Sequence, residues 1–128
     1  MIRKLLIGDD DAEVLSSFSA LFKHYGFEVI TASNAEEFQT LFFQSNPELI
    51  FLDIFFGPDS GPDVYDRVMK LASAPQTPVV FLTGKLEGIK ESPMVRGRQV
   101  AMYVKPLSVE RVVRDIKAAF ADSLSESA

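Results

Sequence analysis

The sequence predicts a doubly wound α/β domain built on a five-stranded parallel sheet. Short apolar runs alternate five times with stretches whose apolar residues recur at helical spacing, the signature of strand–helix repeats. One run, Leu49-Ile50-Phe51-Leu52, is apolar without interruption, as a strand covered on both faces must be. The length of 128 residues suits one domain and buries a core without disulfide staples, and the chain has no cysteine to make one.

Each element has its own signal. Lys4 to Ile7 forms the first strand and runs into Gly8-Asp9-Asp10-Asp11. Val14, Phe18, Leu21, Phe22 and Tyr25 then recur at helical spacing, and Gly26 stands where a helix stops. Phe27 to Thr31 reads as the second strand. Asn34 is an N-cap for a helix carrying Phe38, Leu41 and Phe42, which Asn46-Pro47 closes. After the third strand, Gly57-Pro58-Asp59-Ser60-Gly61-Pro62 is a loop by composition, and Val64, Val68, Leu71 and Ala72 make a third helical stripe. Val79 to Leu82, preceded by Pro78, is the fourth strand and ends at Thr83-Gly84. Ala101 to Val104 is the fifth, stopped by Lys105-Pro106. Val109, Val112, Val113, Ile116 and Phe120 complete an amphipathic helix. The weak unit is the fourth helix: Gly88, Pro93 and Gly97 interrupt it, and proline costs about 3 kcal/mol inside a helix, so it is expected to be short or irregular. The domain is expected to span residues 1–121, with 122–128 a polar, flexible tail or the start of a linker.

Composition removes several kinds of chemistry. Without cysteine there is no thiol nucleophile and no Cys-type zinc site. The single histidine, His24, excludes His-rich metal sites and reads as an exposed residue near a helix C-terminus. The net charge of -5 argues against nucleic-acid binding over the whole surface. The most apolar stretch is too short for a membrane span and carries Asp53, and the N-terminal apolar run meets three aspartates too soon for a signal peptide. A cytoplasmic domain working through carboxylates, Lys, Arg, hydroxyls or backbone is the expectation.

Ligands of open α/β sheets bind outside the carboxyl ends of the strands. The first strand delivers Asp9, Asp10 and Asp11 there, the third Asp53, the fourth Thr83 and the fifth Lys105. Two unit charges about 4 Å apart repel by roughly 4 kcal/mol at an effective dielectric of 20, so carboxylates gathered at one point need a cation between them. An all-oxygen set of one or two carboxylates, waters and a phosphate is Mg2+ chemistry. Lys105 and Thr83 suit phosphoryl oxygens, and a carboxylate facing a metal and a phosphoryl group can be the nucleophile itself. Blander roles exist for single residues. Asp11 and Glu13 read as the cap and first turn of the first helix, and Lys105 taken alone is a surface lysine. An acid directly ending an apolar strand is costly without a partner, so Asp53 is the least easily explained away.

With these residues in place, the chain resembles the receiver domain of bacterial two-component response regulators. The resemblance rests on Leu5-Leu6-Ile7-Gly8-Asp9-Asp10-Asp11, the strand from Leu49 to Asp53, Val79 to Thr83-Gly84, and Val104-Lys105-Pro106. The separations agree as well: 43 residues from Asp10 to Asp53, 30 from Asp53 to Thr83 and 22 from Thr83 to Lys105. Each motif is weak alone; four in order at these spacings are specific.

The resemblance implies a flavodoxin-like sheet of order 2-1-3-4-5. It implies that Asp53 accepts a phosphoryl group from a phosphohistidine on a sensor histidine kinase or histidine phosphotransfer protein. Asp10, Asp53 and the Phe55 backbone carbonyl would bind Mg2+, with Asp9 supporting it directly or through water. Lys105 and Thr83 would hold phosphoryl oxygens, the Gly84 N–H would donate to the same group, and a cis Lys105–Pro106 bond would orient the lysine. Such a domain is a regulatory phosphoacceptor rather than an enzyme, limited to its own phosphorylation and slow dephosphorylation.

Three departures from the family pattern stand out. The family's Met-Pro-x-Met-Asp-Gly loop is here Phe56-Gly57-Pro58-Asp59-Ser60-Gly61, with only the last glycine in register. Met102 holds the place of the switch aromatic, with Tyr103 one position later. The interrupted fourth helix lies where receivers usually signal.

Two further expectations concern dephosphorylation and output. Phe55 and Lys85 flank the attacking water in the family, and a bulky Phe55 should crowd that water and slow hydrolysis. Residues 85–117 carry eight basic and four acidic side chains, a net +4, against -7 for residues 1–84 and -2 for the remainder. That basic stretch suits an acidic effector surface or a homodimer mate.

Other classes are less well matched. Asp9-x-Asp11 resembles the nucleophile motif of haloacid-dehalogenase-type phosphatases, yet the hydroxyl residue those enzymes carry next is missing. A flavodoxin-like nucleotide binder would not place three aspartates where a phosphate must approach. A pseudo-receiver acting only as an interaction module would not need the full set of acids, Thr83 and Lys105.

Overall fold

A computed structural model describes residues 3–72, 77–84, 94–95, 98–99, 102–104 and 109–119. In chain order the elements are β1 (Lys4–Gly8), α1 (Ala12–His24), β2 (Glu28–Ala32), α2 (Ala35–Ser45), β3 (Leu49–Asp53), β4 (Phe55–Phe56), β5 (Asp59–Ser60), α3 (Gly61–Leu71), β6 (Val79–Thr83), β7 (Met94–Val95), β8 (Arg98–Gln99), β9 (Met102–Val104) and α4 (Val109–Ala119). The main sheet has the order β2-β1-β3-β6-β9, and every pair in it is parallel. This is the doubly wound, flavodoxin-like arrangement that the sequence predicts.

Burial explains why the central strands are so apolar. Every residue of β3 is buried, because both faces of the sheet are covered. On one face Leu6, Ile50, Leu52 and Phe81 pack against Phe38 and Phe42 of α2 and Val64, Tyr65, Val68 and Met69 of α3. On the other, Leu5, Ile7, Phe51 and Leu82 meet Leu15, Phe18 and Phe22 of α1 and Val112 and Val113 of α4. Phe22 anchors the second face, edge-on to Phe27 at 5.9 Å between centroids and tilted against Phe51 at 5.2 Å.

The helix ends follow local rules. Asp11 caps α1, its Oδ1 accepting from the N–H of Glu13 at 2.9 Å and of Val14 at 3.3 Å. Asn34 caps α2 through the N–H of Glu37 at 2.8 Å, and Glu37 returns an acceptor to the Ser33 N–H. Asn46 ends α2 in the left-handed region, φ 55° and ψ 58°, and donates its N–H to the Phe42 carbonyl. His24 lies exposed in the last turn of α1, its ring edge-on to Tyr25.

Two local expectations change, and a third gains detail. The stretch read as a loop before the third helix is a short antiparallel hairpin pairing Phe55 with Ser60 and Phe56 with Asp59. Ser60 then caps α3, accepting from the Asp63 N–H, so the helix starts three residues before its first apolar side chain. The inward stripe of α3 is Val64, Tyr65, Val68 and Met69, while Leu71 is 58% exposed because the helix ends there and Ala72 leaves it extended. In the segment of the expected fourth helix, the described residues form a second small hairpin, Met94–Val95 against Arg98–Gln99. Proline and glycine in that segment disfavour a helix and suit a turn. Lys85, the Lys105–Pro106 bond, most of the basic 85–117 stretch and the 122–128 tail lie outside the described residues. Arg111 and Arg114 of that stretch are exposed on α4.

Replacing Phe22 by Ala removes a ring from the centre of one layer and is expected to cost about 3–5 kcal/mol in urea unfolding. Phe43→Ala, at a half-exposed position on α2, should change stability by no more than about 0.5 kcal/mol.

Candidate functional site

Three adjacent strands end together. β1 lies between β2 and β3, and β3 between β1 and β6, so the residues following β1, β3 and β6 emerge along one edge of the sheet. Asp9 follows β1, Asp53 is the last residue of β3, and Thr83 the last of β6. The carboxylates of Asp9, Asp10 and Asp53 each offer an oxygen within 4.8 Å of the other two. Asp9 is fully buried, Asp53 is 6% exposed and Asp10 faces solvent.

Backbone hydrogen bonds hold this edge in place. The Asp9 N–H donates to the Ala32 carbonyl at 3.1 Å, tying the first acid to β2, while Asp9 Oδ1 accepts from the Asp11 N–H at 2.9 Å. Asp53 Oδ1 accepts from the Phe55 N–H at 2.8 Å, which orients the carboxylate over the start of the hairpin. Between them Ile54 is clamped on both sides, donating to the Leu82 carbonyl at 2.8 Å and accepting from the Gly61 N–H at 2.7 Å.

Gly61 must be glycine for a plain reason: a Cβ there would run into the Asp53 carbonyl oxygen. The chain returns from the hairpin so close behind Asp53 that only a hydrogen fits. It is the one glycine of the loop that stands in register with the family pattern.

The remaining expected residues are distributed as follows. Thr83 is fully buried at the end of β6, with Val104 of β9 paired beside it. Gly84 follows Thr83 and is exposed. Phe55 sits on the hairpin with its side chain 52% exposed, beside Asp53 in the chain. Lys105 follows β9 in sequence but lies outside the described residues, as do the side chains of Met102 and Tyr103. Beside the acids opens a cleft of about 830 Å3 between the start of α2 and the hairpin, with Asp10, Glu36, Asp59 and Arg67 in its walls. The hairpin is a site feature without a signal in residue spacing, because it arises from chain return; Gly61 stands out by its register with the family pattern, but its contact with Asp53 does not.

Chemically, the cluster is an oxygen-only donor set of three carboxylates, two of them buried. That set suits a hard divalent cation such as Mg2+, and a buried carboxylate pair without a cation is strongly disfavoured. The residues present therefore fit the metal that the fold's resemblance implies.

Comparisons with known proteins bear on the family and the fold. Residues 5–117 match the response regulator receiver domain family. The chain is 31% identical over 121 residues to the transcriptional regulatory protein SrrA of Staphylococcus aureus, covering 92% of this chain and 48% of that protein. It is 27% identical over 119 residues to the phosphate regulon transcriptional regulatory protein PhoB of Pseudomonas aeruginosa, covering 91% of this chain and 51% of that one. The chain thus spans about half the length of the curated relatives it matches. Among solved structures it is similar to a two-component response regulator from Clostridium difficile, with TM-score 0.77 at 23% identity, covering 91% of this chain and 93% of that one. A CheY-like receiver domain protein from Methanospirillum hungatei aligns with the same score at 21% identity, covering 98% and 99%.

Relieving the crowding of charge has a measurable consequence. Asp10→Asn should raise the melting temperature in metal-free, low-salt buffer by a few degrees. The same substitution should shrink the further rise that MgCl2 produces in the unsubstituted chain. Calorimetry with and without Mg2+ reads both effects.

Proposed function

The chain belongs to the response regulator receiver domain family, and on that footing we propose that it is a Mg2+-dependent phosphoacceptor, phosphorylated on Asp53 by a histidine kinase or a histidine phosphotransfer protein. The observation that carries the reading is the convergence of Asp9, Asp10 and Asp53 within 4.8 Å at the end of the central strands. Asp53 stands in the middle of that edge, next to buried Thr83 on the neighbouring strand.

In the proposed reaction a carboxylate oxygen of Asp53 attacks the phosphorus of the donor phosphohistidine. The new O–P bond forms as the P–N bond breaks, and the electron pair of that bond stays on the imidazole nitrogen. An acyl phosphate results, with no water consumed. Mg2+ bound by Asp10, Asp53 and the Phe55 carbonyl, supported by Asp9, would supply charge neutralisation to the incoming phosphoryl oxygens. The Thr83 hydroxyl and the Gly84 N–H donate to those oxygens, and Lys105 pairs with another. The Phe55 N–H, already bonded to Asp53 Oδ1, keeps the nucleophilic carboxylate oriented. The catalytic histidine belongs to the partner, which fits a chain whose own His24 is on the far end of α1.

The output follows from the neighbours. Relatives of twice the length are transcriptional regulators, so the domain is read as the signal-receiving part of such a system, with an acidic effector surface or a second copy meeting the basic stretch of residues 85–117. No helix among the described residues is long and apolar enough to cross a membrane.

Treatment with acetyl phosphate and MgCl2 should add the mass of one phosphoryl group to the chain, and Asp53→Asn should abolish the addition. Label on Asp9 instead would identify a haloacid-dehalogenase-type site, and no label on any aspartate would leave a pseudo-receiver. Phe55, half exposed beside the acceptor, shields the acyl phosphate from water. The phosphorylated chain should therefore persist for minutes or longer in Mg2+ buffer, and Phe55→Ala should shorten its lifetime. Loss within seconds in the unsubstituted chain refutes the shielding.

A further inference from the structure

Beneath the acidic cluster three residues meet at one buried point, and each is the chain neighbour of a site residue. Gly8 precedes Asp9, Leu52 precedes Asp53, and Phe56 follows Phe55. Gly8 and Leu52 are register partners across β1 and β3. Leu52 is fully buried, and Phe56 closes the hairpin against the ring of Phe38, edge-on at 6.3 Å. A Cβ built on Gly8 would lie 2.6 Å from Leu52 Cδ1 and 3.3 Å from both Phe38 Cδ2 and Phe56 Cζ. The first distance is far inside van der Waals contact and the other two are tight, so the side chains of three other elements occupy the space that residue 8 leaves.

We propose that this slot sets the spacing of the metal-binding edge: Gly8, Leu52 and Phe56 are positioning residues that fix Asp9, Asp53 and the Phe55 carbonyl relative to one another, and thereby select Mg2+ over larger cations. The inference rests on the reading of the three aspartates as a divalent-cation site. Interiors packed at crystal-like density transmit an added methyl rather than absorb it. At this slot the atom struck is the tip of the Leu52 side chain, which is fully buried in one cluster with Phe38 and Phe56, so an added methyl presses it toward those rings. Displacement of Phe56 lifts the hairpin and carries the Phe55 carbonyl away from the two buried acids. The buried acids have little freedom to compensate, because Asp9 Oδ1 and Asp53 Oδ1 are each already bonded to a backbone N–H. Mg2+ demands near-octahedral geometry at about 2.0–2.1 Å, whereas Ca2+ accepts 2.3–2.6 Å and variable coordination. A widened edge therefore penalises Mg2+ first.

The test is a titration of the full chain with MgCl2 and, separately, CaCl2, followed by the amide NMR shifts of Asp9, Asp10 and Ile54, with thermal melting recorded for each variant. Gly8→Ala is expected to weaken Mg2+ binding about tenfold or more, with a smaller change for Ca2+. Gly8→Ala/Leu52→Val, which removes the atom that the new methyl strikes, should recover most of the lost Mg2+ affinity. Phe56→Leu, which leaves the slot underfilled, should weaken Mg2+ binding without any clash and carries the test if Gly8→Ala does not fold.

The overturning results are distinct. Equal Mg2+ affinity in the unsubstituted chain and in the folded variants overturns the spacing role alone. A loss of Mg2+ and Ca2+ affinity in equal proportion, unrelieved by Leu52→Val, reduces the slot to ordinary core packing and also overturns it. An unsubstituted chain that binds no Mg2+ overturns the metal reading on which the inference stands.

Discussion

Asp9 and Asp53 are buried carboxylates at the ends of neighbouring strands, and their mutual repulsion is the constraint that the rest of the structure answers. Burying an ionised carboxylate costs several kcal/mol unless hydrogen bonds or a cation offset it. The fold supplies the first kind of compensation itself: the Asp11 N–H serves Asp9 and the Phe55 N–H serves Asp53. Both donors come from the turn immediately after the strand, so each acid is held by its own chain. Three carboxylates with oxygens within 4.8 Å of one another form an oxygen-only edge of the kind that suits a hard divalent cation.

Such a site needs a rigid base, which the two apolar layers provide. α2 and α3 cover one face of the sheet and α1 and α4 the other, so the strands carrying the acids cannot shift independently. The clamp on Ile54, bonded to β6 ahead and to Gly61 behind, extends this rigidity one residue past Asp53. The short hairpin converts the apolar pressure of Phe56 into a fixed place for its neighbour Phe55, whose own side chain stays half exposed. One dipeptide thus serves both the core and the surface.

Charge is divided along the chain in a way that complements this division of labour. The first 84 residues hold the excess acid, and residues 85–117 are net basic. Arg111 and Arg114 on the exposed side of α4 belong to that segment, the latter within 3.9 Å of Glu110 on its own helix. Exposed pairs of this kind contribute little to stability.

The sequence by itself determined the fold class and which polar side chains end the apolar strands. Strand and helix periods are local, and an acid or hydroxyl ending an apolar run is visible without knowing what lies opposite. Asp9, Asp53 and Thr83 were legible for this reason, as were the caps Asp11 and Asn34, whose partners lie two or three residues away. The exposure of Leu71 was not legible, because it depends on where α3 stops rather than on its stripe. The hairpin at Phe55 to Ser60 and the Met94 to Gln99 pair were hidden for a related reason, since glycine and proline announce a turn but not the two-residue strands around it. Only the tertiary structure decided that Gly61 lies against the Asp53 carbonyl and that Gly8 leaves room for Leu52, Phe38 and Phe56. Those contacts join residues between 8 and 48 positions apart in the chain. Volume matching across strands has no one-dimensional period, so it enters only when the strands are laid side by side.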